Sequence, residues 1–217
     1  MSQTHGSPIE AKAAKAAAVA KAKALAPNLA ARIGSTPRTK FRGDPDIFGR
    51  LVEDHDRHRA LLAMIEETQG ASDQRLALFE ELTRELKAHA AAEEQALWST
   101  VLRDPETTDF ARHAISEHKE IEDMLADLAA RDMSSSGWLR RFAALKEEYL
   151  HHIREEEQEQ FVAAEARLGE RDVLHMRRVF EQRKKAEKAA AEIEKKIKLK
   201  CPASAPMRQI EGAAFRR

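Results

Sequence analysis

Between residues 44 and 200, apolar residues recur at intervals of three and four, the spacing of helices that each bury one stripe. Leu51, Leu61, Leu62 and Ile65 lie on a first stretch, and Leu76, Phe79, Leu82 and Leu86 on a second. Ile115, Leu125 and Leu128 mark a third, and Phe142, Leu145 and Leu150 a fourth. The breaks between them carry helix-end chemistry. Asp44-Pro45-Asp46 predicts an N-cap with Pro at the first helical position, opening a helix to about Gln69. Gly70-Ala71-Ser72 ends it and caps a second, about 73–102. Asp104-Pro105-Glu106 opens a third, to about Asp132, and Ser134-Ser135-Ser136-Gly137 is a turn before a fourth, about 138–168, which Gly169 ends. Residues 170–200 read as a fifth helix, whose basic second half from Arg183 is expected to project from the body. Four helices of about 25–30 residues with short connections predict an all-α, up-down-up-down four-helix bundle with a fifth C-terminal helix.

Composition supports an all-helical chain: among 217 residues there are only 8 Gly and 7 Pro, while charged residues reach 34%. No run approaches 18 apolar residues, so no membrane-spanning segment is predicted, and the N-terminus lacks a secretory signal. The single cysteine, Cys201, excludes an internal disulfide and a thiolate metal cage, and fits a cytoplasmic setting. The formal net charge of zero conceals a division. Residues 1–44 carry 8 Lys/Arg against 2 Asp/Glu, residues 183–217 carry 11 against 4, and the middle carries 18 against 31. The expected organisation is therefore a disordered, Ala/Lys-rich basic tail over 1–43, a bundle over 44–169, a basic helix over 170–200 and a tail over 201–217.

One phrase occurs twice. HAAAEEQALW at 89–98 and HIREEEQEQF at 152–161 share His, three residues, Glu-Glu-Gln, and an aromatic nine places after the His. Each is preceded at a distance of 34 residues by another His behind an acid, Asp54-His55 and Glu117-His118, so the two halves are offset by 63 throughout. Residues four apart share a helix face, so His89 projects with Glu93 and His152 with Glu156, while the first and third helices supply His55 and His118. Four imidazoles and two carboxylates suit two metal ions, two His for each with both Glu shared. Nitrogen and oxygen donors without sulfur favour iron, with zinc, manganese and copper left open.

This arrangement resembles the hemerythrin-like, or HHE cation-binding, family of non-haem di-iron bundles. The spacing of one His, His-x-x-x-Glu, one His, His-x-x-x-Glu is similar in particular to the bacterial repair-of-iron-centres proteins. The resemblance covers about 45–168 and neither tail. It implies that His55, His89, Glu93, His118, His152 and Glu156 bind two iron ions, with Glu93 and Glu156 bridging. Oxygen-carrying hemerythrins have a further His four places after the third-helix ligand. Here that place holds Glu122, either a ligand or an outer group, and its counterpart in the first half is Arg59. The repair proteins commonly begin with a small cysteine-bearing domain, which this Ala/Lys tail is not.

Around the six, Glu85 and Glu148 sit four before His89 and His152 and either bond a ligand imidazole or stand exposed at the stripe edge. Tyr149 either approaches a bound small ligand or is core with its hydroxyl at the rim. His58, His113 and His151 are off the ligand register and expected at the surface or rim. The expected function is a cytoplasmic di-iron protein that binds or reacts with O2, NO or peroxide in sensing, stress defence or iron handling. Enzymatic activity is left open: no nucleophile–base pair and no phosphate-cradling loop is present. The alternative is a nucleic-acid-associated protein acting through its basic tails, with the bundle as a metal-responsive or structural body.

Overall fold

A computed structural model describes residues 39–70 and 72–200, so most of the expected N-terminal tail and all of the tail from Cys201 lie outside the described residues. Among the described residues all regular structure is helical: α1 (Ile47–Glu66), α2 (Asp73–Glu93), α3 (Thr108–Ala129), α4 (Ser136–Glu155) and α5 (Glu170–Lys200). Two features were not expected. α2 runs through a π-helical turn, Glu94–Trp98, into a short segment Ser99–Val101, and α4 runs through a second π turn, Glu156–Gln160, into Phe161–Glu165.

The helix starts follow side-chain capping, with two corrections. Ser72 caps α2 as expected, accepting the Arg75 N–H at 3.1 Å. α1 is capped by Asp46, which accepts the Gly49 N–H at 3.2 Å, so Asp44 and Pro45 precede the cap. The reason is a turn at Phe41–Asp44, closed by Asp44 N–H to the Phe41 carbonyl and made possible by Gly43 at φ 92°. This turn brings Asp44 so close to the helix that a Cβ on Gly49 would lie 2.1 Å from its carbonyl oxygen. It also seats Phe41 against Phe48 and Phe161, fully buried, so the end of the expected tail belongs to the body. α3 begins at Thr108, later than the Asp104-Pro105-Glu106 signal, because Asp104 accepts the Glu106 N–H at 2.9 Å in a tight turn of its own.

Two apolar clusters fill the interior. One joins Ala60–Ile65 of α1 with Leu78, Leu82 and Leu86 of α2, Leu125 of α3 and Trp138, Phe142 and Leu145 of α4. The other joins Phe48 and Leu51 of α1 with Leu97, Trp98, Ala114, Phe161 and Phe180. Successive helices α1 to α4 meet these clusters in alternating order, and the residues between carry the His and Glu. Leu76, expected in the stripe, is 46% exposed: the buried row runs through Leu78, Leu82 and Leu86, and Leu76 stands 200° around the helix from Leu78.

α5 does not project over its described side chains. Val173, Met176 and Phe180 are buried in the second cluster, and Lys184 is 2% exposed beneath Asp54 and Glu85. Lys188 pairs with Glu85, and Glu192 with Arg84 at 3.2 Å. The basic character that suggests an outward arm is on this face matched by acids of α1 and α2.

Arg75 fastens the far end. Its guanidinium, 1% exposed, donates to Thr68 Oγ1 (2.8 Å), the Thr68 carbonyl (2.7 Å) and the Met133 carbonyl (2.6 Å), and lies over the Trp138 ring. Arg75→Ala strands three acceptors and is expected to cost about 2–4 kcal/mol in a urea melt. A loss below about 0.5 kcal/mol would show that water replaces these bonds without cost.

Candidate metal centre

The polar layer between the two clusters is built by four helices. α1 supplies His55, α2 His89 and Glu93, α3 His118, and α4 with its π turn His152 and Glu156, all buried. The first π turn begins directly after Glu93 and the second at Glu156, each at the Glu of a His-x-x-x-Glu pair. A residue nine places after the His would stand half a turn away on a regular helix. The extra residue of a π turn rotates it by about 100° towards the interior. The repeated aromatics, Trp98 and Phe161, are accordingly both fully buried, with ring centroids 6.2 Å apart.

The imidazoles meet in pairs across the two carboxylates. The rings of His55 and His89 are 5.1 Å apart, those of His118 and His152 4.9 Å. Glu156 lies 3.3 Å from His55 Nε2 through one oxygen and 3.5 Å from His152 Nε2 through the other. Glu93 lies 3.5 Å from His89 Nε2 and 3.4 Å from His118 Nε2. All four Nε2 atoms and all four oxygens of Glu93 and Glu156 are buried without a hydrogen-bond partner among the described residues. Such a group of orphaned donors is costly unless something binds them. Two donors each about 2.1 Å from one ion stand about 3–3.5 Å apart, so the separations fit metal ligation. His55, His89 and Glu156 form one potential ligand group, and His118, His152 and Glu156 another.

The outward nitrogens explain why the Nε2 lone pairs face inward. His55 Nδ1 donates to Glu157 (2.9 Å), His89 Nδ1 to Asp54 (3.2 Å), His118 Nδ1 to Glu94 (2.9 Å) and His152 Nδ1 to Glu117 (2.9 Å). A carboxylate only accepts, so each bond fixes the proton on Nδ1 and turns the other nitrogen to the centre. Asp54 and Glu117 are the acids that precede His55 and His118, and Glu94 and Glu157 are the second Glu of each repeated phrase. Each therefore serves an imidazole on another helix. Glu85 and Glu148, which their spacing offers for this role or for exposure at the stripe edge, do not fill it. Glu85 is buried among Lys184, Lys188 and Arg57, and Glu148 is half-buried, while the Nδ1 partners lie elsewhere.

Protonation follows burial and these partners. Although burial opposes ionisation, Lys184, the His89 contact and Arg50 hold the Asp54 carboxyl well below its ordinary value. Burial pushes the Glu156 carboxyl well up, aided by the facing Glu93, Glu117 and Glu157. Burial takes His152 down to about 4 against the pull of Glu117, whereas His118, despite its burial, is held up at about 9 by Glu93 and Glu94. A cation arriving at His118 Nε2 must displace that proton.

The remaining expected residues fall around this core. Glu122 pairs with Lys87 at 2.7 Å in a half-exposed contact. Both line a cavity of about 490 Å³ between α2 and α3, which reaches inward to His89, His118 and Tyr149. Tyr149 is buried, and its hydroxyl shares a 2.6 Å hydrogen bond with Nδ1 of His58. His58, expected at the surface or rim, is fully buried, because its ring faces inward between His89 of α2 and Tyr149 of α4, at 5.1 and 5.6 Å. Burial lowers the His58 pKa and raises that of Tyr149, so both are neutral. His113 and His151 are exposed as expected, and His113 lies 3.3 Å from Glu117 and 3.1 Å from Glu155.

The hemerythrin HHE cation-binding domain family matches residues 46–164, more than half of the chain, a span that ends before α5. No curated protein and no solved structure matches the chain. With its helical bundle and its buried groups of metal-binding side chains, the chain belongs to the hemerythrin family of HHE cation-binding domains.

Proposed function

We propose that the chain is a non-haem di-iron protein. His55 and His89 would hold one ion and His118 and His152 the other, with the carboxylates of Glu93 and Glu156 shared between the two pairs. The observation that carries this reading is the set of eight buried, unpartnered Nε2 and carboxylate oxygen atoms that converge from four helices. The alternating order of the apolar clusters along α1 to α4 supports an up-down-up-down arrangement, and the ligand spacing resembles the repair-of-iron-centres proteins. The bundle unit is taken as 44–169 with the turn at 41–44 added to it, and α5 as a helix docked onto it. Among the described residues no helix is long and apolar enough to cross a membrane, and a cytoplasmic setting stays part of the proposal.

The reactant is a small oxygen or nitrogen ligand: O2, NO or peroxide. When bound, the metal pair supplies open coordination positions and electrons. The chain supplies the rest. The α2/α3 cavity admits a small ligand as far as His89 and His118, with Lys87, Lys119 and Glu122 on its walls. The neutral Tyr149–His58 pair stands at its inner end and holds a proton where a reduced oxygen ligand would need one. That favours reaction with O2 or peroxide over reversible carriage, and a role in stress defence. The tail-based nucleic-acid reading gains nothing from the described residues, in which Lys184 and Lys188 face Asp54 and Glu85.

The test is anaerobic reconstitution with ferrous iron, measuring iron per chain and the optical spectrum before and after O2 or peroxide. Two irons that oxidise without a reversible band are expected. Tyr149→Phe should keep both irons and slow oxidation by peroxide on the order of a hundredfold. Fewer than two irons would sink the dinuclear reading, and a band that reverses on removing O2 would return the protein to oxygen carriage.

A further inference from the structure

The duplication places the two imidazole pairs alike, yet their outer carboxylates stand in different fields. In the His55/His89 pair, Glu157 is met by the buried guanidinium of Arg59 at 2.9 Å. Asp54 is met by Arg50 at 2.6 Å and by the ammonium of Lys184. In the His118/His152 pair, neither Glu94 nor Glu117 pairs with a Lys or Arg among the described residues. The position that corresponds to Arg50 is the exposed His113, and the position that corresponds to Arg59 is Glu122. Lys184 has no counterpart at all, because α5 lies outside both the repeat and the family match.

The consequence follows from the hydrogen bonds. A carboxylate that accepts an imidazole Nδ1–H raises the donor strength of the opposite nitrogen. A fixed cation on that carboxylate draws its charge away and weakens the effect. Asp54, Glu157, Arg59 and Lys184 are all buried, so neither salt nor water screens the influence much. Resting on the dinuclear reading above, we propose that Lys184 and Arg59 act as positioning residues that make the His55/His89 position the weaker of two unequal metal sites. The His118/His152 position then fills first. Lys184 also ties the seating of α5 to that weaker site, so a helix outside the family domain sets the affinity of a metal position inside it.

The test is a titration of the metal-stripped full chain with Co2+ under nitrogen, followed by calorimetry. The wild type should bind two equivalents in two steps at least about tenfold apart, and Glu117→Gln should weaken the tighter step about tenfold. Lys184→Met should tighten the weaker step by about three- to tenfold and leave the other unchanged. Arg59→Met should act in the same direction and covers the case in which Lys184→Met does not fold. Lys188→Met, whose partner Glu85 bonds no imidazole, should leave both steps in place and separates charge on Asp54 from mere docking of α5. Steps that move together, or a weaker step unmoved by either variant, would overturn the inference. Fewer than two equivalents in the wild type would instead remove the dinuclear reading on which it rests.

Discussion

Loading the metal-stripped chain with two equivalents of ferrous iron, without oxygen, is expected to raise its melting temperature by on the order of 10 °C or more. Each site filled at about a thousand times its dissociation constant adds about 4 kcal/mol to the folded state. A chain of this size gains about 2–4 °C per kcal/mol. The effect is large because the metal-free state holds eight buried donor atoms without partners among the described residues. His89→Ala should remove much of the gain. Glu156→Gln should remove most of it, yet its metal-free form should be no less stable than the wild type, since it replaces a carboxyl that burial and the neighbouring acids already disfavour. Thermal melts with and without iron decide the matter: a wild-type gain under about 2 °C would mean the centre takes no metal tightly.

Phe180→Ala is expected to be the most damaging change outside the centre, at about 3–5 kcal/mol. Phe180 is fully buried, lies 5.7 Å from the His89 ring edge-on and carries the Arg50 guanidinium 5.3 Å over its face. Its truncation opens a cavity beside a proposed ligand and loosens the helix that delivers Lys184. Metal retention after dialysis should fall as well as stability. Leu174, six residues earlier on the same helix and 37% exposed, provides the contrast: Leu174→Ala should stay within about 0.5 kcal/mol. Equal losses in the two variants would show that α5 contributes through its helix alone and not through this contact.

Much of the site is legible before any folding is considered. The equal 34-residue spacing and the i, i+4 Glu place six donors at one level, because helix periodicity converts sequence distance directly into a face and a height. The supporting carboxylates are not legible in the same way. Beside the ligands, three acidic pairs close to a ligand His obey the offset of 63: Asp54 with Glu117, Glu94 with Glu157, and Glu85 with Glu148. The duplication alone cannot rank them, and proximity on one helix favours Glu85 and Glu148. Contact between helices chooses the other two pairs. Glu85 is taken up by Lys184 and Lys188, which lie about a hundred residues further along.

The π turns show a related limit. The first leaves a trace in the sequence, the buried run Ala96-Leu97-Trp98, too many consecutive apolar residues for one stripe, whereas the second, Glu156–Gln160, is polar throughout and leaves none. His58 lies only 60° around the helix from His55, and the bundle interior is wide enough there to take it in against His89 and Tyr149, which a narrow ligand stripe does not reveal.

By itself the sequence determined the helical class, most helix boundaries to within a few residues and the six clustered donors, because these depend on neighbours within a turn or two and on a repeated spacing. Tertiary structure alone decided which carboxylate orients which imidazole and where α5 lies. It also decided that Lys184 meets Asp54 across 130 residues, a contact fixed by the packing of surfaces that no local pattern encodes.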